Sequence, residues 1–165
     1  MMIREARSTD VNALTALLRA CVAGMQDAGI DQWDDVYPTV QIVAADVDAG
    51  MLIVAERAGA LIGAVTLNQT QEPAYGDVAW RLTDDAMGVV HRLMIAPAVQ
   101  RQGVGRALML ALEDRARARG LRALRLDTFA ANPPALGLYR ALGYVEVGVV
   151  QFRKGRFLCF EKPID

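Results

Sequence analysis

The chain has 165 residues, 53% of them hydrophobic and 22% charged, which suits one domain with a sizeable core and excludes wholesale disorder. A net charge of −1 argues against a nucleic-acid binder that works through bulk charge. One histidine and two distant cysteines, Cys21 and Cys159, make no metal-ligand cluster of the usual spacing. There is no apolar signal core and no run of membrane-spanning length, so the expectation is a cytoplasmic protein with reduced cysteines, no metal, no membrane and no nucleic-acid partner.

In chain order, residues 2–7 read as a short strand. Ser8-Thr9-Asp10 signals a helix start. Leu14, Leu17, Leu18, Cys21 and Val22 mark the apolar stripe of that helix, which closes between Gly24 and Gly29. Residues 30–37 are a polar and aromatic connection. Pro38 suits the first turn of a second helix, running to about Asp48 and closed by Gly50. Residues 51–56 and 61–67 read as strands, with a hairpin turn at 57–60. Residues 69–77 are a polar loop, 78–82 a short extended piece and 83–85 a turn. Residues 89–95 are a mostly apolar strand that Pro97 stops. A helix follows from Gly103 to Gly120, with Val104, Leu108, Ala111 and Leu112 on one face and Arg106, Glu113 and Arg117 on the other. Residues 121–127 form another strand. Asn132 caps a helix that has Pro133 at its first position and Gly143 at its end. Residues 144–150 and 157–161 are the last strands. The order is β-α-α-β-β-β-α-β-α-β-β, in one domain over 1–165 with no internal repeat.

The stretch from Val89 to Leu110 carries the chemistry. Gly103 and Gly105 let the backbone turn sharply from strand to helix. The first N–H groups of a helix have no partner inside it, and the helix dipole adds partial positive charge there. The result suits an anion, phosphate above all. A P-loop would need Gly-Lys-Ser/Thr at the helix start, where Arg106-Ala107 stands. A dinucleotide fingerprint would need a third glycine at Leu108. Taken alone, the loop is also readable as an ordinary strand-to-helix turn with two glycines.

The spacing Gln100-x-x-Gly103-x-Gly105 resembles the acyl-CoA loop of the GNAT superfamily of N-acetyltransferases. Downstream, Asn132-x-x-Ala135-x-x-Leu138-Tyr139-x-x-x-Gly143-Tyr144 resembles the second signature of that family, one strand later as the family order requires. The resemblance implies a mixed α/β sheet whose two central strands splay, with acetyl-CoA in the gap. It implies that backbone groups of Leu93, Met94 and Ile95 pair with the acetyl and pantetheine parts. It also implies that the segment Gln100, Arg101, Gln102, Gly103, Val104, Gly105 and Arg106 holds the pyrophosphate, with Asn132 near the pantetheine arm. The implied reaction is direct transfer of acetyl to an amine in a ternary complex.

Tyr139 matches the family tyrosine that protonates the departing thiolate; an aromatic core residue on a helix is the other reading. His91 shares a strand face with Leu93 and Ile95 by period two, and so is a candidate base or simply a hydrogen-bonded sheet histidine. Trp33, Glu72, Tyr75 and Trp80 sit in the loops that the family uses for the acceptor, where aromatics and carboxylates suit a cationic amine; packing of the loops on the core is the alternative. Asp127, at a strand end before Thr128, either faces the same cleft or caps the turn, and the cap is the preferred reading. The expected partner is a small-molecule amine, with a protein N-terminus or lysine as the rival acceptor and a non-catalytic acyl-CoA-binding module as the rival class. Family members are often homodimers, and the resemblance extends that expectation here.

Overall fold

A computed structural model describes residues 1–83 and 85–165. The turn expected at 83–85 includes Asp84, which lies outside the described residues. The strands are β1 (Met2–Glu5), β2 (Leu52–Arg57), β3 (Ala60–Asn68), β4 (Met87–Ile95), β5 (Ala123–Phe129), β6 (Val145–Phe152) and β7 (Gly155–Pro163). The helices are α1 (Val11–Asp27), α2 (Val40–Asp48), α3 (Val104–Ala118) and α4 (Pro133–Ala141). Their sequence is the expected β-α-α-β-β-β-α-β-α-β-β, and the strands pair as a mixed sheet in the order β1-β2-β3-β4-β5-β7-β6. Two compact units share the chain. The first comprises Met1–Leu67 and His91–Leu112, the second Asn68–Val90 and Glu113–Asp165.

In the first unit, Leu14, Leu17, Leu18 and Cys21 recur at helical spacing along α1 and are all buried. They pack with Val43, Val47, Leu52, Val54, Ala64 and Met94. Helix α2 starts at Val40, two residues after the expected Pro38. The hydroxyl of Thr39 accepts the Ile42 N–H at 3.2 Å, so Thr39 is the cap and Pro38 stays outside, after a cis peptide bond. The β2–β3 hairpin closes on Ala58 and Gly59, whose φ angles of 52° and 78° are the pair a type I′ turn needs. Gly63 admits a close approach: a Cβ there would lie 2.7 Å from Leu108 Cδ1 and 3.1 Å from the Met94 carbonyl oxygen.

In the second unit, β4 and β5 pair in parallel from Met87↔Ala123 to Val89↔Arg125. Strand β5 then pairs antiparallel with β7 along its whole length, and β7 with β6. Tyr75, Val89, Val150, Phe157 and Cys159 form one buried cluster here. Both cysteines are buried free thiols.

Three expectations change in this unit. Strand β5 runs on to Phe129, so Asp127 lies inside a strand and caps no turn. Residues 78–82 form no strand. The Arg81 and Leu82 N–H groups donate to the buried Glu161 carboxylate at 2.9 and 3.1 Å, and a side chain thus replaces a strand partner. Glu113 was expected on a solvated helix face and is instead 1% exposed. The ammonium of Lys162 donates to both its oxygens at 2.8 and 2.9 Å, and the Tyr144 hydroxyl donates at 3.1 Å. A helical wheel cannot foresee such a partner on another element.

Candidate active site

The candidate anion loop of the first unit follows a short 3-10 turn at Pro97–Val99. Arg101 and Gly103 both take left-handed backbone angles, φ 64° and 81°. A Cβ at Gly103 would meet nothing within 4 Å, so the loop faces open space there. The first helical bond of α3 runs from the Ala107 N–H to the Gly103 carbonyl at 3.0 Å. The N–H groups of Val104, Gly105 and Arg106 come before it, which makes them the orphan donors of this helix end. Arg101, Gln102, Gly103 and Arg106 are exposed and Val104 is buried, so the polar rim is open while α3 is anchored beneath it. Arg57 donates to Gln102 Oε1 at 3.0 Å and braces the loop from β2. This cradle fits a pyrophosphate: backbone donors, a dipole end, two arginines and space where a side chain would intrude.

Strand β4 carries Leu93, Met94 and Ile95 up to that loop. Met94 is buried, while His91, Leu93 and Ile95 are half-buried. The Ile95 carbonyl accepts from Cys21 Sγ at 3.3 Å and Gln100 Nε2 at 3.4 Å. Between His91 and Leu93 stands Arg92 at φ 52°, a left-handed conformation that L-residues avoid. It interrupts the pleat, so the period-two rule that put His91 on one face with Leu93 does not carry across it. Such strain persists only where the surroundings over-determine it. Here Arg92 Nε and Nη2 donate to Asp46 Oδ2 at 2.9 and 2.7 Å, and Nη1 donates to the Tyr37 hydroxyl at 3.1 Å. Thr66 adds a third donor to the same oxygen at 2.8 Å. One buried carboxylate on α2 thus ties the bend of β4 to β3, and the guanidinium extends the tie to the loop before α2.

The second unit holds the other candidates. Tyr139 is 6% exposed on α4, edge-on to Tyr144 with ring centres 6.0 Å apart, and 6.2 Å from the Phe160 ring. Burial and the charge of Asp127 raise its pKa, so the phenol is protonated at neutral pH and able to donate. Asn132 is buried, and its side chain accepts the Ala135 N–H at 3.2 Å as the cap of α4. Tyr75, Trp80 and Asp127 come together. The Tyr75 hydroxyl donates to Asp127 Oδ2 at 2.5 Å, the two rings are 5.1 Å apart, and Trp80 Nε1 donates to the Tyr75 carbonyl at 2.9 Å. The Arg125 guanidinium lies 4.3 Å over the Trp80 ring. Glu72 is half-buried, and its charge bears on Asp127. Trp33 belongs to the core of the first unit, at 6% exposure.

Arg92 and Asp46 are therefore the residues that sequence reasoning passed over, and Asp127 is the one it read as a turn cap in preference to a place in the cleft. A signal existed for Asp127: aspartate is depleted in strands, and this one sits between Leu126 and Thr128. No sequence signal marked Arg92 or Asp46. Among the described residues no group of three His, Cys, Asp or Glu side chains is placed to hold a metal ion, and no helix is long and apolar enough to cross a membrane.

Comparison with known proteins matches a family described as "Acetyltransferase (GNAT) family" to residues 15–144. A phosphinothricin N-acetyltransferase of Alcaligenes faecalis is 31% identical over 99% of this chain and 82% of its own length. An IAA acetyltransferase of Azospirillum brasilense is 31% identical over 58% of this chain, and the match spans only 55% of that relative. A solved Salmonella typhimurium structure that carries acetyl-CoA as its cofactor is 22% identical, with a TM-score of 0.74 over 100% of this chain and 94% of that one.

Proposed function

The chain belongs to the GNAT acetyltransferase family, and from that premise we propose that its acceptor is the primary amine of a small molecule, acetylated directly within a ternary complex. Enzymes of this family are acyltransferases that use acetyl-CoA, and this chain is one of them. The observation that carries the reading is the pyrophosphate cradle at residues 100–106. Its orphan N–H groups and the open space at Gly103 match what the CoA pyrophosphate needs.

When bound, acetyl-CoA supplies an acetyl thioester, a carbonyl open to attack with a good leaving group. The roles of the chain's own residues follow from their chemistry. Gln100, Arg101, Gln102, Gly103, Val104, Gly105 and Arg106 bind the pyrophosphate. The backbone of Leu93, Met94 and Ile95 orients the acyl arm, with Arg92 and Asp46 holding the bend before it. Tyr139, kept protonated by burial, donates its phenolic proton to the sulfur as the thioester bond breaks. Asn132 acts through its cap, which fixes the first turn of the helix that bears Tyr139. His91 is a second candidate for proton transfer from its place on β4. Two relatives that match this chain have names that denote action on small molecules, phosphinothricin and IAA. The aromatic and acidic residues Glu72, Tyr75 and Trp80 suit a compact cationic acceptor, whereas a peptide acceptor calls for an open groove. Trp33 supports the loop before α2 from the core and serves the acceptor only through that loop.

The test is thiol release from acetyl-CoA against a panel of alkyl and aryl amines, amino acids, polyamines, aminoglycosides and short peptides. Turnover with a small amine and none with peptides is the expected result. Peptide turnover alone would transfer the reading to a protein acetyltransferase. Silence throughout, with acetyl-CoA bound in calorimetry, would leave an acyl-CoA-binding module.

A further inference from the structure

In the second unit, Asp127 is a carboxylate held in place without a cationic partner. Its neighbours come from three elements: Tyr75 and Glu72 from the segment at 72–77, Cys159 opposite it on β7, and Tyr139 on α4. Its hydrogen bond comes from the phenol of Tyr75, and among the described residues no Lys or Arg pairs with it. The nearby guanidinium of Arg125 is engaged elsewhere, donating to the Leu82 carbonyl at 2.7 Å and stacking on Trp80. An ionised carboxylate even half-buried is costly to keep without a counter-ion. The energetic deficit is of the kind a cationic ligand makes good.

Two features give the deficit a use. Aromatic rings stand around the carboxylate: Tyr75 bonds to it, Trp80 packs on Tyr75, and Phe129 lies two residues along β5 on the same strand face. Rings and a carboxylate together suit an ammonium group with an apolar body. Asp127 also lies close enough to Tyr139 for its charge to bear on that phenol. The proton donor for the sulfur and a proton acceptor for the amine thus belong to one unit.

We infer that Asp127, oriented by Tyr75, binds the acceptor's ammonium group and takes its proton, so that the acceptor is a cationic amine with an apolar or aromatic body. The inference rests on the N-acetyltransferase reading above and names the acceptor class and the base for it. The ammonium gives one proton to the carboxylate, leaving a neutral amine and a carboxylic acid. The nitrogen lone pair then forms the C–N bond to the acetyl carbon, and the C–S bond breaks as Tyr139 gives its proton to sulfur. The second proton of the attacking nitrogen replaces the one Tyr139 lost, and Asp127 releases its own to water. The sum is acetylated amine, CoA thiol and one proton. Burial raises the Asp127 pKa to about 6, with the Tyr75 hydrogen bond lowering it and the Glu72 charge raising it further. The base is therefore ionised at neutral pH, yet close enough to it to exchange protons readily.

The experiment is the pH dependence of kcat/KM, with the best amine of the panel, for wild type, Asp127→Asn and Tyr75→Phe. Wild type is expected to lose activity as pH falls through about 6. Asp127→Asn is expected to lose about 100-fold or more in kcat/KM and to lose that acid limb, with acetyl-CoA affinity and the cooperative melt retained. Tyr75→Phe removes a bond that favours the carboxylate, so its acid limb is expected to move to higher pH, a shift that loss of packing alone would not produce. Wild-type turnover with an unchanged acid limb in both variants overturns the assignment of Asp127 and leaves the acetyltransferase reading standing. Silence of wild type on every amine overturns that reading itself, and this inference with it.

Discussion

Replacing Asp46 with alanine tests how the bend in β4 is held. The Arg92 and Asp46 side chains are 9% and 10% exposed, so neither end of the pair is rescued by water. Asp46 Oδ2 takes three donors, two from Arg92 and one from Thr66. Removal leaves a buried guanidinium with only the Tyr37 hydroxyl and leaves the Thr66 hydroxyl without its acceptor. Breaking a buried pair from one side costs about 3–5 kcal/mol. The left-handed backbone at Arg92 carries about 1–2 kcal/mol of strain, which wild type already bears and which therefore adds nothing to the loss. Asp46→Ala is therefore expected to lose about 3–5 kcal/mol in urea unfolding, a large part of a typical domain's stability. Asp46→Ala/Arg92→Ala removes both charges and is expected to be less destabilised than the two single losses added, by about 1–3 kcal/mol. Acetyl-CoA binding to the folded Asp46→Ala protein is expected to weaken, because residues 93–95 follow the bend directly. A loss below about 1 kcal/mol for Asp46→Ala, or strict additivity in the double variant, would refute the claim that this pair holds the bend.

Gly103→Glu places a carboxylate in the open space of the pyrophosphate cradle and forces a side chain onto φ 81°; it is expected to abolish acetyl-CoA binding in calorimetry while the thermal melt stays cooperative. Tyr139→Phe keeps the ring against Tyr144 and Phe160 and removes only the proton, so kcat is expected to fall far more than acetyl-CoA affinity, and equal losses in both would argue for a packing role. Asp127 also makes stability depend on pH. Its native pKa of about 6 lies above the ordinary 3.8, so between these values the native state holds a proton that the unfolded chain has lost, and stability declines as pH rises through that window. Asp127→Asn is accordingly expected to be more stable than wild type by about 1–3 kcal/mol at pH 8 and little different at pH 4, measured by urea unfolding at each pH. A gain in stability with a loss of turnover is the pattern of a functional residue.

The sequence by itself determined the element order and the family, because each rests on signals that act within a few residues, and signals of the same short range mark the proposed phosphate loop. Apolar spacing along α1 predicts its buried face whatever lies opposite. Gly103 announces the turn before α3, since few other residues tolerate its φ of 81°, whereas Gly105 already lies within the helix. Asn132-Pro133 marks the start of α4 through a cap that spans three residues. Errors stayed local where the competing signal was local: Thr39 displaced Pro38 as the start of α2 by one side-chain hydrogen bond.

What only the tertiary structure decided involves partners far apart in the chain. Glu113 has the same helical periodicity as a solvated residue, and its burial follows from Lys162 and Tyr144 on other elements. The bend at Arg92 is written nowhere near Arg92; it depends on Asp46, on α2, and on Tyr37 before it. Asp127 reads as a turn cap until β5 is seen to continue past it and the Tyr75 hydroxyl is found 2.5 Å away. Backbone propensity is a property of neighbours along the chain, whereas the charge state of a half-buried carboxylate is a property of neighbours in space. The proposed cradle for CoA is therefore written in local sequence, and the proposed base for the amine is not.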